Sequence, residues 1–179
     1  MDHPEDRSAE FSRMVDIRAI DARPRHVEAD ARERAALAAR FGLVRIDSLS
    51  ADVDLVPDGA SVDAQGTLAA DIVQSCAISG DDLPVSIREP IAFRFVPESD
   101  VSAEPDEEIE LAEEELDEIP FDGRTFDLGE AVAQSLALAI DPYATGPNAD
   151  EARKEAGLLD EDSAGPFAGL AALKGKPEE

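Results

Sequence analysis

Few residues in this sequence could do chemistry. It has two histidines, His3 and His26, and one cysteine, Cys76. A single cysteine excludes an intramolecular disulfide and a cysteine-rich zinc site within the chain. The spacing gives no reason to gather the histidines with Cys76 or carboxylates into a metal-ligand set. No glycine-rich phosphate loop, His-Glu-x-x-His pair or nucleophile elbow is present. Asp and Glu number 42, so two carboxylates falling together say nothing about acid–base catalysis. Cys76 sits at a strand end in Gln74-Ser75-Cys76-Ala77-Ile78-Ser79-Gly80. A reactive thiolate needs positive charge or a helix N-terminus nearby, and the neighbours Asp81 and Asp82 are expected to push its pKa up. Cys76 therefore reads as a small buried hydrophobe at the mouth of a hairpin. No catalytic residue, cofactor site or metal site is assigned, and the chain reads as a non-enzyme.

Charge is the stronger signal. Lys and Arg total 16 against the 42 acidic residues, a net charge of −26 over 179 residues. Such a surface repels phosphate backbones, since nonspecific nucleic-acid affinity comes mainly from Lys and Arg displacing counterions. A basic protein partner suits this field better. Eight arginines fall in the first 45 residues: Arg13, Arg18, Arg23, Arg25, Arg32, Arg34, Arg40 and Arg45. They could form an RNA-binding face, but they alternate with acidic residues, and a salt-bridged surface is the expectation. Residues 98–118 hold twelve acidic residues and no basic one. Like charges four apart weaken a helix, so this insert reads as a solvated loop, with nucleic-acid mimicry or docking of a basic partner as the alternative.

The framework that must position these groups is a single globular domain. Hydrophobic residues make up 43% and aromatics 4%, without Trp, so the core rests on Leu, Val, Ile and Ala. Phe11, Val15 and Ile17 share one face of a period-two strand, and a second extended piece lies near His26–Glu28. Asp30 and Glu33 form a capping box for a helix over Ala31–Arg40, with Leu37 and Phe41 on one face and Gly42 as its cap. Leu49, Ala51, Val53 and Leu55 alternate up to the turn Pro57-Asp58-Gly59. Val62, Ala64, Leu68, Ala70 and Ile72 form a second long strand with Gly66 as a bulge. Val85, Ile87, Ile91, Phe93 and Phe95 form a third, joined to the second across Cys76–Pro84. Asp127 caps a second helix, with Glu130 at the box position, Leu128, Val132, Leu136 and Ile140 as its stripe, and Pro142 as its stop.

The expected fold is α+β: a curved or partly barrel-like antiparallel sheet with two packed helices, an acidic loop and a flexible C-terminal tail. Residues 1–9 read as disordered, 10–143 as one domain holding the acidic insert 98–118, and 144–165 as a linker. A short amphipathic segment over 166–174 presents Phe167, Leu170 and Leu173 as a partner-binding stripe, and 175–179 is a disordered end. Met1–Glu10 has no apolar stretch like a signal peptide, and no run approaches the ~20 residues needed to cross a bilayer. The expectation is a soluble, cytoplasmic protein with no membrane and no DNA partner.

Several stretches, in order, resemble the bacterial YceD family, the large ribosomal RNA subunit accumulation proteins. They are Glu10-Phe11-Ser12-Arg13, Ala39-Arg40-Phe41-Gly42-Leu43, Val73-Gln74-Ser75-Cys76 and Phe93-Arg94-Phe95-Val96-Pro97 with the acidic insert after it. Asp127-Leu128-Gly129-Glu130, running into Leu136 to Asp141-Pro142-Tyr143, and the ending Gly165-Pro166-Phe167 to Lys174 complete the set. The resemblance spans nearly the whole chain and marks Cys76, Asp127, Asp141, Pro142 and Tyr143 as motif positions without assigned roles. Many relatives carry a Cys-x-x-Cys at the central hairpin; here its second position is Ser79, so a thiolate zinc site does not transfer. The resemblance implies a non-enzymatic role in accumulation, processing or stability of 23S rRNA. With the charge, the expected partner is a basic ribosomal protein or pre-ribosomal particle, and any rRNA association is indirect. Direct rRNA binding through the arginine-rich face is the alternative, and an uncharacterised enzyme a weaker one.

Overall fold

A computed structural model describes residues 10–98 and 117–157. The elements run β1 (Met14–Asp16), a 3-10 turn (Ile17–Ala19), β2 (Arg25–Glu28), α1 (Ala31–Phe41), β3 (Arg45–Asp58), β4 (Ser61–Ser75) and β5 (Asp82–Pro97). Then follow β6 (Asp117–Phe121), β7 (Thr125–Asp127), α2 (Leu128–Ala139) and α3 (Ala149–Glu155). The residues divide into two compact units. Of the described residues, one holds 10–74, 84–98 and 117–140, and the other joins Ser75–Leu83 to 141–157.

In the first unit, β2–β3–β4–β5–β6 form one open sheet and β1 pairs with β7 in a separate ladder. No ladder among the described residues joins β2 to β6, so the expected barrel-like closure is not seen. The sheet is also not wholly antiparallel, because β6 runs parallel to β5 from Phe93↔Asp117 to Pro97↔Phe121. A parallel return needs a long crossover, and the acidic stretch between the strands supplies it. The three predicted alternations hold: Leu49, Ala51, Val53, Leu55, Val62, Ala64, Leu68, Ala70, Ile72, Ile87, Ile91, Phe93 and Phe95 are all buried, while Val85 is half-buried against the core.

Gly66 is not a bulge. It pairs with Val53 in regular register, and the irregularity falls between Ile46 and Ser48 instead. A side chain at Gly66 would overlap the Asp52 carbonyl oxygen, so the glycine permits close approach of two backbones.

Helix α1 begins as its sequence predicts. The Asp30 carboxylate accepts from the Arg32 and Glu33 N–H groups, Glu33 accepts from the Asp30 N–H, and Gly42 closes the helix at φ +67°. Glu130 behaves differently: both its oxygens accept from Arg40, at 2.8 and 3.0 Å. The short N-terminal strand is only Met14–Asp16, because the chain turns into the 3-10 turn at Ile17. Phe95 stacks on Phe126 with centroids 4.0 Å apart, and Phe121 meets Phe126 edge-on. No helix among the described residues is long and apolar enough to cross a membrane.

Candidate functional site

The motif positions Cys76, Asp141, Pro142 and Tyr143 converge in the second unit. Strand β4 ends at Ser75, and the chain turns through Cys76–Asp81, tied by Cys76 N–H to the Asp81 carbonyl (2.7 Å) and Gly80 N–H to the Cys76 carbonyl (3.0 Å). Against this turn lies the segment that follows Ile140. Ala77 N–H donates to the Ala144 carbonyl at 3.0 Å. Asn148 Nδ2 donates to Asp81 Oδ2 at 3.1 Å. Tyr143 N–H donates to Asp141 Oδ1 at 2.8 Å, which folds Asp141-Pro142-Tyr143 into a local turn. Its ring is 81% exposed. The region expected to be a linker over 144–165 thus carries α3 in its described part, with Ala149 buried.

Cys76 lies at the centre of this arrangement and is 3% exposed. Its Sγ accepts from the N–H groups of Gly146 (3.2 Å) and Ser79 (3.4 Å). These bonds bring the thiol from its ordinary 9.0 down to about 6, with the Gly146 N–H the largest cause and Ser79 and Ile78 adding to it. The expected upward push from Asp81 and Asp82 is overturned. Hydrogen bonds from Gly146, Ser79 and Ile78 outweigh the opposing effect of burial, and Asp81 is itself held by Asn148. Burial at the hairpin mouth is as expected. The signal missed is Gly146, seventy residues away in sequence. Among the described residues no group of three His, Cys, Asp or Glu side chains could hold a metal ion.

Asp127 belongs to the first unit and has a positional task there. Its Oδ1 caps α2 at the N–H groups of Gly129 and Glu130 and also accepts from the Arg13 N–H at 2.7 Å. The Arg13 guanidinium forks onto both Glu33 oxygens (2.6 and 2.8 Å) and reaches the Ser12 and Glu28 carbonyls. It also stands 4.7 Å from the Phe11 ring centroid. The Glu33 carboxyl is held low by this pairing. A charge in an otherwise apolar alternating row, between Phe11 and Val15, was the sequence signal for such a partner. Gly129 completes the corner: a Cβ there would lie 2.7 Å from the Phe11 carbonyl oxygen and 2.9 Å from the Arg13 nitrogen. Phe167, Leu170 and Leu173 lie outside the described residues.

The fold and these contacts define an α+β protein in which Cys76, Asp127 and Asp141 hold backbone and turns together. The chain belongs to the YceD family, described as large ribosomal RNA subunit accumulation protein YceD, which it matches over residues 64–174. The match takes in every C-terminal motif and leaves Glu10–Arg13 and α1 outside it. No curated protein and no solved structure matches the chain.

Proposed function

We propose that this protein is a non-enzymatic, cytoplasmic ribosome-biogenesis factor that supports synthesis, processing or stability of 23S rRNA by holding a basic large-subunit protein. The observation that carries the reading is the state of the arginines in a chain of net charge −26. Arg13, Arg23, Arg40 and Arg45 are ion-paired with Glu33, Asp21, Glu130 and Asp47. Arg25 and Arg34 donate to the Ala19 and Ala29 carbonyls. The ion-paired arginines release few counterions from RNA, the carbonyl bonds hold the Arg25 and Arg34 side chains against their own surface, and the surplus carboxylates favour a basic polypeptide. Such a partner would be held by charge-assisted hydrogen bonds and passed on to the stronger polyanion, rRNA. The stripe Phe167, Leu170 and Leu173 is the proposed apolar contact for the same partner.

Affinity purification from cells, with and without RNase, tests the reading. The expected result is a basic ribosomal protein retained after RNase treatment. Partners lost on RNase treatment would favour the second reading, direct rRNA contact. That reading draws on Arg18 and Arg32, which have no carboxylate partner among the described residues.

A further inference from the structure

Within the first unit, the middle of β5 and the C-terminal half of α2 enclose an open groove of about 460 Å³, lined by Glu89, Pro90, Ile91, Ser135, Leu138 and Ala139. Among the described residues β6 pairs with Phe93–Pro97 alone, and the part of β5 beside the groove has no strand on that side. Glu89 occupies a core-facing place in the strand. Ile87 and Ile91, two residues away on either side, are buried, while Glu89 is exposed. It has no hydrogen bond or ion pair among the described residues. Helix α2 ends here with no basic residue in its last turn. Ala139, its last residue, lines the groove, so the negative end of the helix dipole lies beside the same opening as the carboxylate. Leu138 is 82% exposed, and Pro90 adds apolar surface.

Glu89 and the negative end of α2, with no cation paired to them among the described residues and with exposed Leu138 and Pro90 beside them, complement one side-chain type. We infer that this groove receives a lysine or arginine side chain of a basic polypeptide partner. The aliphatic stem lies along Leu138 and Pro90, and the charged head sits between Glu89 and the C-terminal end of α2. Backbone pairing along the β5 edge is the poorer mode, because Pro84 and Pro90 remove N–H donors from that strand. The inference rests on the proposed basic partner and gives it a place of contact.

The test uses the full-length ¹⁵N-labelled protein titrated with acetyl-Leu-Lys-Leu-Lys-Leu-amide, against the same peptide with norleucine for lysine. Amide shifts are expected at residues 89–92 and 135–139, with the norleucine peptide silent. Glu89→Gln and Leu138→Ser, both exposed positions whose melting temperatures are checked in parallel, should each weaken binding at least about fivefold. Shifts confined to other acidic surfaces, an unchanged affinity of Glu89→Gln, or equal binding of the norleucine peptide overturns the inference. RNase-treated purification with the same variants separates the two ideas. Undiminished capture of a basic ribosomal protein by both variants rejects the groove and leaves the partner reading standing. Absence of any such protein with the wild type rejects the partner reading, and the peptide titration alone then decides the groove.

Discussion

Cys76 shows how little the types of sequence neighbours determine a side chain's chemistry. Hydrogen bonds from Gly146, Ser79 and Ile78 bring the thiol to about 6 from an ordinary 9.0. An acid whose folded pKa is depressed adds stability that is fully present above its unfolded pKa and is lost as pH falls through the folded one. The stability difference between wild type and Cys76→Ala should therefore widen as pH rises from about 6 to about 9. Paired thermal melts across that window measure it; a constant difference would mean that the thiol titrates normally. Arg13 makes the second residue-scale prediction. Its removal takes the ion-pair partner from Glu33 and a donor from the Ser12 and Glu28 carbonyls, in a site about one-third exposed on the arginine side. Arg13→Ala is expected to cost about 2 kcal/mol after discounting for solvent. Arg13→Lys should recover less than half of that, because an ammonium cannot fork across a carboxylate. Urea unfolding checks both.

Among the elements, the N-terminus of α2 is the most tightly specified. Asp127 caps the helix and holds the Arg13 N–H with the same oxygen, Leu128 N–H donates to the Arg13 carbonyl, and Gly129 lets the two backbones meet. Alanine is ordinarily a better helix former than glycine by about 1 kcal/mol. At position 129 the order should reverse, because a methyl there presses on backbone that has nowhere to go. Gly129→Ala is expected to lose about 2 kcal/mol, of the size seen for overpacking. Unchanged or raised stability would show that the Phe11–Arg13 segment moves freely. The periodicity of β3, β4 and β5 was legible in the sequence because a half-buried strand alternates, and so was α1, whose capping box is local. The β1–β7 pairing was not legible. Its strands are three residues each and lie more than a hundred residues apart, so no local pattern announces it.

For the whole molecule, net charge −26 and an arginine set largely engaged in internal bonds lead to one expectation about RNA. Purified protein at micromolar concentration should not retard naked rRNA fragments at ~0.15 M salt, where interactions beyond roughly 8 Å are heavily screened. A shift that survives unrelated competitor RNA would require a local cationic patch and would favour the direct-binding reading. Metal removal makes the last prediction. With one cysteine in the chain, EDTA should leave the melting temperature unchanged, since structural zinc would carry folding energy directly. A large drop accompanied by stoichiometric zinc would contradict this.

Properties that depend on composition, or on neighbours within one helical turn or a few strand residues, can be read along the chain. They include the charge, the absence of a cysteine framework, the alternating strands, the capped helices and the ordered motifs that mark the family. Tertiary structure alone decided which distant groups meet. It placed Gly146 on the Cys76 sulfur, Asp127 on Arg13, Glu130 on Arg40, and β6 parallel to β5. It also turned Gly66 from an expected bulge into a point of backbone contact. The physical reason is the same in each case. A hydrogen bond or a steric contact acts over a few ångströms in space, and separation along the chain carries almost no information about that distance once the sheet has brought remote segments together.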